Sequence, residues 1–325
     1  MTYPFFFRKN LMMNRRRFIT LSSSALMAMR TGNALARKHF VVGAFPPENT
    51  PFGQGTDIAL WHGKPPGGGG PVGSELLTVR GSLSNVVNPS LRIFQPKRPA
   101  GKAVLIAAGG GYKRIEMGKE AWLAARWLTR IGYTAYVLTY RLPAENWHDG
   151  SVVALQDAQR ALRIVRSREK HVSVLGFSAG GHLMGMAVTR ANFRSYPEHD
   201  ALDRTHAYAD RAALIYPVIT LERPYTHTST HKVLVGPHAS EQENAKWSVQ
   251  NFVTSRTPPI FLVQAEDDPV SDPHNTQIMA AACKREHVPV EMHKYSSGGH
   301  GFGLGRPGTP TVEWPAHYQR WLGEV

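Results

Sequence analysis

Apolar positions along this chain gather into short continuous runs, and between the runs they recur at helical spacing. The strongest run, Ala103-Val104-Leu105-Ile106-Ala107-Ala108, has no in-out alternation, which predicts a strand buried on both faces, as in a parallel sheet. Similar runs predict strands over 76–83, 90–94, 134–140, 172–177, 212–216, 260–265 and 288–295. Between them, Trp122, Ala125, Trp127, Leu128 and Ile131 recur near helical spacing, and Leu155, Ala158, Leu162 and Val165 form one stripe of a helix over 152–168. Further helices are expected over 179–190, 273–287 and 312–322. This alternation predicts an α/β fold with a mostly parallel, doubly wound sheet flanked by helices. Residues 37–75, rich in glycine and proline through Gly67-Gly68-Gly69-Gly70, read as an irregular leading arm with Leu60-Trp61-His62-Gly63 as an apolar anchor. The segments 192–210 and 221–256 have no clean period. Each reads equally as a cap over the strand tips, where ligands of open α/β sheets lie, or as a surface excursion.

Composition narrows the class. A hydrophobic content of 42% with 19% charged residues excludes a disordered chain and a membrane bundle. The 325 residues suit one large core, with residues 76–325 as the catalytic domain. The start of the chain has a different character. Asn14-Arg15-Arg16-Arg17-Phe18-Ile19-Thr20, a mildly apolar stretch over 21–29 and Ala34-Leu35-Ala36 resemble a twin-arginine export signal over 1–36, which implies a periplasmic or secreted protein. That apolar stretch is too short to span a bilayer, so no stable membrane insertion is expected. Six basic and no acidic residues lie in 1–36, so without them the formal charge falls from +14 to +8. The remaining excess is dispersed, without the basic and aromatic interleaving of a nucleic-acid surface. The single cysteine, Cys283, cannot form an intramolecular disulfide and sits in an apolar helical run as a core residue. His227, His231 and His238 lack metal-ligand spacing and read as polar loop residues, so neither metal nor cofactor is expected. Oligomeric state is not encoded in these patterns.

The candidate chemistry centres on Gly176-Phe177-Ser178-Ala179-Gly180, where small residues flank a serine between a strand and a helix. A tight turn there lifts the serine Oγ above the sheet, as in a nucleophile elbow. Asp268, in Glu266-Asp267-Asp268-Pro269, and His300, in Gly298-Gly299-His300-Gly301, follow two later strands. The order Ser, Asp, His is that of α/β-hydrolases. His300 is the expected base for Ser178 and Asp268 the expected acid that orients the ring, with Asp267 and then Asp272 as competitors. Ala108-Gly109-Gly110-Gly111-Tyr112 resembles the glycine loop of lipases and esterases, which nominates the N–H groups of Gly110, Gly111 and Ala179 as an oxyanion hole. The loop lacks the spacing of a phosphate cradle. Tyr112, beside that loop, is the expected sugar-stacking residue, with Trp61, Trp147 and Tyr225 as further aromatic candidates. Arg141 reads as a structural ion-pair partner.

Together with these, Tyr140-Arg141-Leu142-Pro143, Asp157-Ala158-Gln159-Arg160, Tyr216-Pro217-Val218-Ile219, Thr257-Pro258-Pro259 and His300-Gly301-Phe302-Gly303-Leu304 resemble the acetylxylan-esterase and esterase/lipase-like branch of the α/β-hydrolase superfamily. The resemblance runs from Trp61 to Trp321 and matches at Ser178, Asp268 and His300. It implies an α/β-hydrolase fold with loop insertions over the active site. It also implies a secreted or envelope serine carboxylesterase that removes short acyl groups, often acetyl groups of hemicellulose, through an acyl-serine intermediate. The partner expected is a small-molecule or carbohydrate ester. Two departures stand out: Ala121 where the branch often has glycine, and Val270-Ser271-Asp272 where it usually has Val-Pro. A serine peptidase of prolyl-oligopeptidase type shares the triad order but usually carries a propeller, and a non-catalytic binding protein on the same fold would not need all these residues.

Overall fold

The computed structural model describes residues 40–42 and 55–323; the leader expected over 1–36 lies outside the described residues. In chain order the strands are β1 (Phe40–Val42), β2 (Thr56–Ala59), β3 (Leu76–Thr78), β4 (Ser82–Ser84), β5 (Ser90–Phe94), β6 (Lys102–Ala107), β7 (Ile115–Glu116), β8 (Thr134–Thr139), β9 (His171–Phe177), β10 (Arg211–Ile215), β11 (Ile260–Ala265) and β12 (Val290–Tyr295). The α-helices are α1 (Trp122–Arg130), α2 (Val153–Arg168), α3 (Ala179–Thr189), α4 (Ser229–Leu234), α5 (Glu241–Lys246), α6 (His274–Arg285) and α7 (Trp314–Gly323).

The continuous apolar runs form the middle of an eight-stranded sheet in the order β12-β11-β10-β9-β6-β8-β5-β2. Every pairing from β12 to β8 is parallel, and β5 and β2 complete the sheet antiparallel. Burying a Val, Leu or Ile side chain contributes about 1.5–3 kcal/mol, so unalternating runs favour strands covered on both faces. Accordingly β8 and β11 are buried at every residue. On one face Trp127 of α1 meets Trp314 and Tyr318 of α7, and on the other α2 packs on α3. The chain leaves β6 toward β8, then crosses back to β9 on the other side of β6. This reversal opens a crevice at the carboxyl ends of β6 and β9, where ligands of doubly wound sheets lie. The architecture is that of an α/β-hydrolase.

Two segments differ from the sequence reading, and two that it left open are resolved. The expected strand over 76–83 is a hairpin of β3 and β4, because Gly81 turns the chain at φ +80° and its N–H bonds to the Thr78 carbonyl. The hairpin belongs to a small antiparallel sheet, β1-β3-β4-β7, whose β7 anchors the outgoing end of the loop after β6. The leading arm is not wholly irregular: β2 adds an edge strand beside β5, clamped by a two-pronged ion pair from Arg92 to Asp57. The two insertions part company. Segment 192–210 is a surface excursion held to α2 by Arg160, which grips Asp200 and Asp203. Segment 221–256 folds α4 and α5 and supplies Thr228, Ser229 and Thr230 to the wall of a cavity at the crevice.

Candidate active site

Small residues around Ser178 are required by close approach. A Cβ on Gly176 would lie 2.4 Å from the Gly180 carbonyl oxygen, and one on Gly180 would lie 2.2 Å from that of Ala107. With both glycines in place, β9 turns directly into α3, and Ser178 sits at φ +51°, ψ −118°. An L-residue in such a conformation is strained, and the strain holds the hydroxyl above the strand tips.

The three side chains nominated from the sequence meet there. Ser178 Oγ lies 2.8 Å from His300 Nε2, and His300 Nδ1 lies 2.7 Å from Asp268 Oδ2. A carboxylate only accepts, so Nδ1 carries the proton and Nε2 is left to accept from the serine hydroxyl. Asp268 is fixed on every side: Oδ1 accepts the N–H groups of Val270 and Ser271 at 2.8 and 2.9 Å, and Oδ2 also accepts from Gln264 Nε2. The Ser271 bond is one that a proline at this place could not make. Asp267 is turned elsewhere. Its Oδ1 accepts the Gly299 N–H, and that bond holds its carboxyl below the usual carboxylate range. Asp272 instead bonds the N–H and the ring of His274 at the start of α6. Left-handed φ values at Gly299, Gly301 and Gly303 let the histidine loop fold over Ser178.

Gly110 and Gly111 line the same cavity as Ser178 and His300, a volume of about 380 Å³. Their φ values are +123° and +64°, and a Cβ on Gly110 would meet the Arg114 carbonyl oxygen at 2.2 Å. Ala179 is the first residue of α3, so its N–H has no partner within the helix. Backbone donors on two sides of a serine hydroxyl suit the oxygen that becomes negative when a carbonyl carbon turns tetrahedral.

Tyr112 is not placed to stack on a ligand, which corrects the sequence reading. Its side chain is 1% exposed. The hydroxyl lies 2.8 Å from His182 Nδ1, whose Nε2 lies 2.7 Å from the Trp247 carbonyl oxygen. The carbonyl can only accept, so Nε2 carries the proton and Tyr112 donates to Nδ1. Burial lowers the pKa of His182 to about 4, consistent with a neutral ring. The other aromatic candidates are also outside the cavity wall. Trp61 is buried with its Nε1 on Asp157, Trp147 is buried under the Arg141 guanidinium, and Tyr225 packs on His274. Arg141 and Asp157 form a buried ion pair at 2.9 Å, as expected of Arg141.

Sequence reasoning missed Glu120. It is 3% exposed, its Oε2 accepts the Gly109 N–H at 2.6 Å, and its Oε1 accepts the Tyr216 hydroxyl at 3.0 Å. Its only sequence signal was an acidic residue in an otherwise apolar helical stripe. A wider groove of about 720 Å³ lies at the sheet edge between Ile93, Lys97, Arg126 and Arg130, but neither Ser178 nor His300 lines it. Of the three histidines read as loop residues, His231 instead lies in α4, buried on Asn244, while His227 bonds the Val270 carbonyl. Among the described residues no three His, Cys, Asp or Glu side chains gather as a metal cage, and no helix is long and apolar enough to cross a membrane.

Residues 152–325 match the model of the prolyl oligopeptidase family. The chain is similar to the acetylxylan esterase of Xylanibacter ruminicola, 28% identical over 235 residues, covering 69% of this chain and 46% of that protein. It is also similar to endo-1,4-beta-xylanase B of Butyrivibrio fibrisolvens, 30% identical over 211 residues, covering 61% of this chain and 32% of that protein. The chain therefore spans less than half the length of these curated relatives. Among solved structures, the acetyl ester-xyloside bifunctional hydrolase from Caldicellulosiruptor lactoaceticus superimposes with a TM-score of 0.64 at 32% identity, covering 73% of this chain and 88% of that one.

Proposed function

Since the chain belongs to the prolyl oligopeptidase family, we propose that it is a serine carboxylesterase that removes short acyl groups, chiefly O-acetyl groups, from carbohydrates. The observation that carries this reading is the unbroken chain of hydrogen bonds from Ser178 Oγ through the His300 ring to the buried Asp268. Along it, His300 Nε2 takes the hydroxyl proton as Oγ attacks the ester carbonyl carbon, and Asp268 stabilises the imidazolium. The carbonyl oxygen becomes an oxyanion beside the N–H groups of Gly110, Gly111 and Ala179. Collapse expels the alcohol, which takes the proton from Nε2. Water then repeats the sequence on the acyl-Ser178 ester and releases the acid.

Support for the ester comes from relatives named as an acetylxylan esterase and an acetyl ester-xyloside hydrolase, and from a cavity of about 380 Å³ walled by Val218, Thr228, Ser229 and Thr230. Replacing Ser178 with alanine is expected to lower kcat/KM for p-nitrophenyl acetate by roughly 10³-fold or more while the circular dichroism spectrum is retained. Undiminished hydrolysis rejects the assignment. The family also bears the name of a peptidase, so acetylated xylan, p-nitrophenyl acetate and a proline-containing peptide amide belong in one assay. Faster turnover of the amide reverses the substrate class.

Export belongs to the same proposal. Arg15-Arg16-Arg17 ahead of the apolar stretch supports a twin-arginine route to the periplasm or beyond. Residues 1–36 fused to a reporter should reach the periplasm in a host with that pathway and stay in the cytoplasm of a host lacking it; equal export in both hosts rejects the route.

A further inference from the structure

Glu120 and Tyr216 have no part in that chain of hydrogen bonds, yet both are buried against it. Glu120 lies within a π-turn, Met117–Ala121, that precedes α1; such turns recur at functional sites. Its two carboxylate oxygens face two different loops. Oε2 accepts the N–H of Gly109, the first glycine after β6, while Oε1 accepts the hydroxyl of Tyr216, which follows β10. The Tyr216 oxygen in turn accepts the N–H of Gly303 at 3.1 Å, three residues beyond His300. Burial holds the Tyr216 hydroxyl far above its ordinary pKa, so it stays protonated and remains a donor. Burial raises the pKa of the Glu120 carboxyl, and the bonds from Gly109 and Tyr216 offset part of that cost.

Two further observations point the same way. Tyr216 adopts φ +37°, an unfavourable backbone for a bulky residue, and it does so where its ring stands edge-on to His300 at 5.0 Å and to Phe302 at 4.4 Å. Gly109, the loop end that Glu120 holds, is packed on the nucleophile: a Cβ there would lie 2.7 Å from Ser178 Cβ. A shift of Gly109 therefore moves Gly110 and Gly111 relative to Ser178.

We propose that Glu120 and Tyr216 are positioning residues, a buried hydrogen-bonded strut that holds the glycine loop and the histidine loop in register across the nucleophile. The role rests on the esterase reading, in which those loops carry the oxyanion donors and the base. A carboxylate is needed because it accepts from the Gly109 N–H and the Tyr216 hydroxyl at once; an amide of the same shape presents one acceptor and one donor. Misplacing the donors weakens the transition state more than the bound ester.

The test compares Glu120→Gln and Tyr216→Phe with the parent enzyme, each normalised to the fraction of Ser178 labelled by a fluorophosphonate. Both should lower kcat for p-nitrophenyl acetate roughly 10- to 100-fold with KM within about threefold. Both should weaken phenylboronic acid, whose adduct on Ser178 is tetrahedral, in parallel with kcat. The double variant should cost little more than either single one, because both cut the same strut. Tyr216→Phe removes one oxygen atom and carries the test if the glutamine variant does not fold. Single variants with kcat and boronate affinity within threefold of the parent overturn the strut, and so does a loss confined to KM. A parent enzyme that binds the boronate but does not cleave acetate overturns the esterase reading instead, while boronate affinity in the variants still decides the strut.

Discussion

Asp267 and Asp268 are chemically alike and adjacent, and they differ only in what each oxygen faces. Asp268 meets the imidazole and three further donors, whereas Asp267 meets the backbone of Gly299. Asp268→Asn turns an acceptor into a group that also donates toward Nδ1 and so favours the wrong tautomer of His300. We expect kcat to fall by roughly 10²- to 10⁴-fold. Asp267→Asn keeps an acceptor for Gly299, and its kcat should stay within about tenfold; the reverse ranking in p-nitrophenyl acetate kinetics would transfer the acid role to Asp267. His182 gives a second handle. Its ordinary pKa of 6.5 falls to about 4 in the folded protein, so the unfolded chain binds the proton more readily. Its contribution is full above pH 6.5 and is lost as the pH falls toward 4, a change of about 3 kcal/mol. Urea denaturation of the parent and of His182→Gln should show a stability gap that shrinks by about that amount between pH 7 and pH 4. A gap independent of pH contradicts the buried neutral ring.

Helix α2 joins the leading arm to the sheet. Asp157, on its inner face, receives Trp61 Nε1 from the arm and both the N–H and guanidinium of Arg141 from the loop after β8. Arg141 also bonds the Pro66 carbonyl. Neither side chain of this pair is exposed. Removing one partner strands a buried charge, so Asp157→Ala is expected to cost about 3–5 kcal/mol in chemical denaturation. Ser178 in the surviving folded fraction should still be labelled by a fluorophosphonate. A loss below about 1 kcal/mol would show that the arm is held by packing alone. The insertion carrying α4 and α5 has two duties: Leu234, Val249 and Val253 are buried in the core, while Thr228, Ser229 and Thr230 wall the cavity.

Across the whole molecule, the crossover at β6 brings residues far apart in sequence to one rim. Ser178 and His300 are separated by 122 positions, and Glu120 and Tyr216 by 96. Closure of the fold can be followed through Cys283, a thiol that is wholly buried and pushed up to about 12 by its apolar surroundings. A thiolate is the reactive form, so Cys283 should be inert to a disulfide reagent at pH 8 until the molecule opens. Its labelling rate should rise in step with global unfolding in urea, and rapid labelling of the native enzyme would mean that α6 opens separately.

The chain's own pattern was enough for the strands of the parallel sheet, the elbow and the order of the three chemical groups, because burial on both faces of a sheet and a tight strand-to-helix turn each leave a local signature. It also led to Ser178 and His300, whose neighbouring glycines advertise the turns they require. It preferred Asp268 to Asp267 by spacing, but did not place Tyr112 in the core, separate the capping insertion from the excursion, or reveal the Glu120 and Tyr216 strut. Those depend on which loops the crossovers bring face to face, and a hydrogen bond between distant loops leaves no period in the sequence.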